Sequence, residues 1–157
     1  METKLPQRKH TRLKNKDVYS FSNTIVHITI GTSQKKPFFK NSEYAQAACE
    51  IIKDLAIEKG NKLYAYCIMP DHIHILVQAS EGCSIINYVK LIKGRFSVCC
   101  RKKGWDLRLQ PGFYDHIIRK DEDLETVTRY ILGNPVRSRI VRSINEYPFN
   151  GSLVFEL

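Results

Sequence analysis

Between Thr24 and Thr32, apolar Val26, Ile28 and Ile30 alternate with His27 and Thr29, the period-two pattern of a strand with one buried face. The spacing then becomes helical. Tyr44, Ala48, Ile51, Ile52 and Leu55 fall on one face of a segment that Asn41 or Ser42 can cap and Gly60 can stop, predicting a helix to about Lys59. Lys62 to Met69 and His72 to Gln78 read as two strands joined by a tight turn at Met69-Pro70-Asp71, because proline presets the backbone there and aspartate suits the place beside it. Ser84 opens a second helix to about Lys102, with Ile85, Tyr88, Val89, Ile92 and Phe96 inward and Lys90, Lys93, Arg95, Arg101 and Lys102 outward. Phe113 to Arg119 reads as another strand. Asp121 caps a third helix, on which Leu124, Val127, Thr128 and Ile131 recur at helical spacing.

The order β-α-β-β-α-β-α, with a hairpin in its middle, predicts an α+β domain: a ferredoxin-like antiparallel sheet with helices packed on it. No repeat or Gly/Ser/Pro-rich linker divides the chain. Residues 1–17 hold Lys4, Arg8, Lys9, Arg12, Lys14 and Lys16 with little to bury, so they read as a mobile basic arm ahead of one domain spanning 18–157. No apolar run reaches the roughly 20 residues of a membrane helix, and no apolar segment follows the basic N-terminus as in a secretory signal. The expectation is a cytoplasmic protein without a membrane partner.

Charge narrows the function. The excess of 25 Lys+Arg over 16 Asp+Glu, a net +9 in 157 residues, favours a polyanionic partner, since phosphate neutralisation releases condensed counterions. The five cysteines are odd in number and lack CxxC pairing, which predicts reduced, mostly buried thiols rather than a disulfide framework or a zinc site.

Two clusters carry candidate chemistry. In Asp71-His72-Ile73-His74-Ile75-Leu76-Val77, strand alternation sends His72 and His74 to one face and Ile73, Ile75 and Val77 to the other. Imidazoles about 7 Å apart along a strand can share one metal ion if a third ligand caps them. Two histidines on the wet face of an antiparallel strand fit the same letters. In Arg129-Tyr130-Ile131-Leu132-Gly133-Asn134-Pro135, Tyr130 and Asn134 are four residues apart and share a helix face, and an amide oxygen can complete the coordination of a hard cation. Pro135 removes a hydrogen bond to Ile131, so the helix is expected to kink or end there. An ordinary amphipathic tyrosine, ring packed and hydroxyl wet, also fits Tyr130.

From Ile25 to about Phe149 the sequence resembles the single-tyrosine HUH transposases, and especially REP-associated tyrosine transposases. The matching segments, in the family's order, are Val26-His27-Ile28-Thr29, the run from Ala65 through Pro70-Asp71-His72-Ile73-His74, Gly112-Phe113-Tyr114-Asp115-His116-Ile117-Ile118-Arg119, and Tyr130-Ile131-Leu132-Gly133-Asn134-Pro135-Val136-Arg137. Glu146-Tyr147-Pro148-Phe149 after them is also typical of the family. One departure is Leu109-Gln110-Pro111, where many relatives carry Trp-Gln; Trp105 lies earlier.

The resemblance implies an HUH endonuclease fold, a nucleophile at Tyr130 and a divalent metal, Mg²⁺ or Mn²⁺, held by His72, His74 and Asn134. It implies cleavage and rejoining of single-stranded DNA at hairpins or palindromic repeats through a 5′-phosphotyrosine intermediate, and it admits a homodimer. Lys90, Lys93, Arg95 and Arg101 are candidates to track a hairpin's phosphates, and Arg119, Arg129, Arg137 and Arg139 to flank the scissile one. Tyr114 is the rival nucleophile. With His116, which shares its face, it is otherwise a stacking ring or half of a buried hydrogen-bonding pair, while His27 reads as a sheet-face residue rather than a ligand. Two other functions stand beside this one: an HUH nickase for replication initiation, and a non-catalytic ferredoxin-like module that binds nucleic acid on its sheet.

Overall fold

The computed structural model describes residues 24–156 and the backbone of Arg8–Lys9. The strands are β1 (Arg8–Lys9), β2 (Ile25–Gly31), β3 (Lys62–Met69), β4 (His72–Gln78), β5 (Tyr114–Ile117) and β6 (Asn150–Gly151); the helices are α1 (Ser42–Lys59), α2 (Ile85–Lys103), α3 (Leu124–Leu132) and the short α4 (Asn134–Arg137). One sheet runs β1-β5-β2-β4-β3-β6 with every pair antiparallel. Its four inner strands have the ferredoxin-like order expected from the pattern. The two-residue edges do not come from the periodicity, being too short to carry any. Of the basic arm, Arg8–Lys9 pair with Asp115 and Tyr114 as an edge strand; the remainder of 1–17 lies outside the described residues.

Alternation builds a core on each face. Val26, Ile28 and Ile30 of β2 and Ile73, Ile75 and Val77 of β4 point toward α1 and α2, meeting Ile52, Leu55, Ile85, Tyr88, Ile92 and Phe96. The Tyr88 hydroxyl donates to the Ile52 carbonyl at 2.7 Å and ties the two helices together. On the opposite face Ala65, Cys67, Met69 and Leu76 receive Val127, Ile131 and Leu132 of α3. Tyr147 is buried there with its hydroxyl on the Ile68 carbonyl, so the chain after α4 closes this second layer.

The expected ends of α1 and α2 are found. The Asn41 side chain accepts from the Glu43 and Tyr44 amides, Gly60 takes φ 71°, and Ser84 accepts from the Asn87 amide. α3 begins later than expected, because its cap is Asp123 and not Asp121. Glu122 is occupied with His116 and the Arg119 amide in a turn, which postpones the first helical residue to Leu124. At the other end the helix breaks at Gly133. Pro135 has no N–H for the Ile131 carbonyl, and the Asn134 side-chain amide donates to that carbonyl instead, at 3.0 Å.

The five cysteines are unpaired, and all except Cys99 are buried. Among the described residues no helix is long and apolar enough to cross a membrane.

Ile75 is fully buried on the central strand between both helices and the sheet. Ile75→Ala is expected to destabilise the fold by about 2–5 kcal/mol, the cost of lost burial plus a cavity. Urea unfolding would measure it, and a loss below 1 kcal/mol would show that this face packs loosely.

Candidate active site

β4 presents its two histidines on the α3 face of the sheet. His72 Nε2 and His74 Nε2 come within 3.0 Å of each other, their rings edge to face. Each ring is held from its other nitrogen. His72 Nδ1 lies 2.6 Å from the Asp71 carboxylate, which can only accept, so that nitrogen carries the proton and Nε2 its lone pair. His74 Nδ1 lies 3.1 Å from His27 Nε2 and 3.3 Å from Thr29 Oγ1, both on β2. With His74 Nδ1 donating to either, both Nε2 lone pairs converge on one space, the geometry of two ligands to one cation.

Burial keeps His74 and its β2 partner His27 uncharged. It lowers the pKa of His27 to about 4, with His116 adding to the effect. His74, 7% exposed, is held well below the ordinary imidazole value by burial, then by His27, His72 and the guanidinium of Arg137. Neutral imidazoles keep the lone pairs a metal needs. Among the described residues no three His, Cys, Asp or Glu side chains group together as a metal-ligand set.

The tyrosine segment approaches the same face. α3 packs on β3, leaving Tyr130 half-buried. Arg137 lies over the Tyr130 ring, its guanidinium carbon 4.0 Å from the centroid, and donates to the Tyr130 carbonyl and, at 2.9 Å, to Asn134 Oδ1. This clamp requires Gly133, where a Cβ would come within 2.8 Å of Arg137 Nη1. Tyr130 and Asn134 are thus linked to each other through Arg137, and Arg137 is the residue whose charge reaches His74.

The other candidate cations are less uniform than the sequence suggests. Lys93 donates to the carbonyls of Gln110 and Gly112, Arg95 pairs with Glu58, and Arg129 pairs with Glu125 one turn away. Lys90 and Arg119 are exposed. Tyr114 and His116 do share a face, opposite Thr29 and His27, but the partner of His116 is Glu122 at 3.0 Å. Trp105 packs on Tyr44, with ring centroids 4.5 Å apart.

Sequence reasoning missed the residues that aim the histidines: Asp71, His27 and Thr29. Their signal was present. Asp71 adjoins His72, and His27 and Thr29 alternate with the core residues of β2, but only strand pairing shows that they meet His74.

Residues 20–134 match the model of the family described as "Transposase IS200 like". The chain belongs to the IS200-like transposase family. Two curated relatives of this IS200-like chain carry REP-associated names. It is 26% identical over 124 residues to the REP-associated tyrosine transposase of Escherichia coli K12, across 78% of this chain and 72% of that protein. It is 32% identical over 100 residues to the "Putative REP-associated tyrosine transposase" of Haemophilus influenzae, covering 55% of this chain and 56% of that one. A solved REP-associated tyrosine transposase bound to a REP hairpin aligns with a TM-score of 0.69 over 83% of this chain and 77% of that one, at 23% identity, showing a shared fold.

The folded pKa of His27 lies below its unfolded value, so between about pH 6.5 and 4 the unfolded chain binds a proton that the folded chain excludes. Stability is therefore highest above that window and falls as pH drops through it, with His74 acting in the same direction. Urea unfolding in EDTA is expected to lose on the order of 3 kcal/mol between pH 7 and pH 4 from His27 alone. His27→Phe should flatten the profile, and a level wild-type profile would refute a neutral, buried His27.

Proposed function

We propose that this IS200-like transposase cleaves single-stranded DNA at hairpin or palindromic elements and rejoins it through a covalent Tyr130 intermediate. The observation that carries the reading is the convergence of His72 Nε2 and His74 Nε2 on the face that receives the tyrosine helix. The relatives support the substrate class. A REP-associated tyrosine transposase of the same fold is bound to a REP hairpin, and the net charge of +9 favours a polyanion.

His72, His74 and Asn134 fit a divalent cation, Mg²⁺ or Mn²⁺: two neutral imidazoles and an amide oxygen leave the ion its full charge. When bound, that ion polarises a phosphate oxygen and offsets charge developing in the transition state. Asp71 and His27 hold the two rings in the required tautomers. Tyr130 supplies the nucleophilic oxygen. Its phenol proton departs as the oxygen–phosphorus bond forms and the bond to the 3′-oxygen breaks, and that oxygen leaves as a protonated hydroxyl. The products are a 5′-phosphotyrosine and a free 3′-hydroxyl. Attack by another 3′-hydroxyl reverses the step, joins strands and restores Tyr130, without ATP because each step exchanges one phosphodiester for another. Arg137 has a role on both sides of binding. A phosphate is a stronger, charge-assisted acceptor than the Asn134 amide, so DNA draws the guanidinium away and frees Asn134 Oδ1.

The test is an adduct assay: purified protein with single-stranded hairpins from the DNA flanking its gene, in Mg²⁺ or EDTA, on denaturing gels. Wild type is expected to form a metal-dependent covalent adduct that Tyr130→Phe abolishes and Tyr114→Phe retains. His74→Ala should lower its formation by roughly 100-fold or more. Loss of the adduct only in Tyr114→Phe would move the nucleophile to that residue. Tight binding without any adduct would leave a non-catalytic nucleic-acid module.

A further inference from the structure

Between Thr29↔Tyr114 and Thr32↔Leu109, three steps along β2 face five along the returning chain. The excess residues bulge out of the ladder, a device that turns side chains away from their regular directions. The bulge is firmly anchored. The Gln110 amide donates to the Gly31 carbonyl at 2.8 Å, Ser33 to Arg108 at 2.8 Å, and Lys93 holds the carbonyls of Gln110 and Gly112. Beneath it lies a cavity of about 240 Å³, lined by Gly31, Gln110, Pro111, Gly112, Phe113 and Tyr114. That is below the roughly 300–1,000 Å³ of pockets for drug-sized ligands.

Its position relates it to the candidate active site. Gly31 pairs with His72 across β4, and alternation puts Gly31 on the histidine face, opposite to Ile30. A Cβ at Gly31 would come within 2.8 Å of Gln110 Oε1, so the Gln110 amide fills the space that a side chain would take. His72, Gly31 and Gln110 therefore form one row across three adjacent chains, spanning about 10 Å. Among the described residues the Gln110 side chain makes no hydrogen bond, which leaves a donor and an acceptor side by side at the cavity wall. Half-buried Tyr114 adds an aromatic wall.

We infer that this cavity receives one unpaired nucleobase of the substrate strand, next to the scissile phosphate, and that Gln110 reads its edge. The inference rests on the single-stranded DNA reading above. A side-chain amide meets a base edge bidentately, and unpaired bases are held by aromatic rings and read on exposed edges. The row from His72 to Gln110 matches the reach of one nucleotide from its phosphate to its base. Gly31, lacking a side chain, leaves the intervening space to the Gln110 amide.

Binding of the full chain to hairpins from the DNA flanking its gene, with short single-stranded flanks, tests this by fluorescence anisotropy in EDTA. An abasic site is walked through the flanks one position at a time. Wild type is expected to lose about 10-fold in affinity at one position adjoining the cut. Gln110→Ala, with its folding checked by thermal midpoint, should bind the intact hairpin about as weakly as wild type binds that abasic copy, and show no further loss there. Gly31→Ala, which displaces the amide, should follow Gln110→Ala. A flank with no sensitive position, or an unchanged abasic profile in Gln110→Ala, overturns the inference while the covalent adduct still supports the reading beneath it. Absence of both hairpin binding and adduct removes the two together.

Discussion

β4 is hydrogen-bonded along both edges, to β2 and to β3, so its side chains must leave the sheet alternately on one face and the other. Ile73, Ile75 and Val77 thereby become the floor of the α1–α2 core, and His72 and His74 are delivered to the opposite face. A slip of one residue would put imidazoles into the apolar core and isoleucines into the site. Packing on one face thus enforces the register that positions the chemistry on the other, which makes the core under α1 and α2 part of the site's geometry.

Around the histidines, burial and hydrogen bonding act together. Burial keeps His74 and His27 uncharged, and the contacts to His27, Thr29 and Asp71 direct the free lone pairs to a common point. The Asp71 carboxylate is turned to His72 Nδ1, and the Asn134 oxygen is held by Arg137. Arg137 also covers the tyrosine ring, so the same cation touches the candidate nucleophile, the candidate third ligand and the electrostatics of His74.

The break at Pro135 shows how a local defect becomes a geometric feature. The missing N–H leaves the Ile131 carbonyl open, and Asn134 bends back to occupy it. That fixes the amide by its nitrogen and presents its oxygen to Arg137. The bulge before β5 is a second such case: interrupted pairing opens a cavity beside the histidine row.

Much was legible in the residues themselves. The bounds of α1, β3 and β4 follow from alternation, helical spacing and strong capping signals at Asn41, Gly60 and Ser84, because these are local properties of the backbone. The same alternation showed that His72 and His74 share a face, and the helix-breaking residue at 135 was visible directly. The cap at Asp123 was not, since it depends on Glu122 being drawn back to His116 of β5. The β1 and β6 edges, the bond from His27 to His74 and the cavity over Gly31 were equally hidden. Each joins residues far apart in sequence or a strand too short to have a period, and its partner is chosen by sheet order and register. Sequence by itself determined which faces are apolar and which residues carry chemistry; only the tertiary structure decided which of those residues meet, because that depends on which strand edges pair.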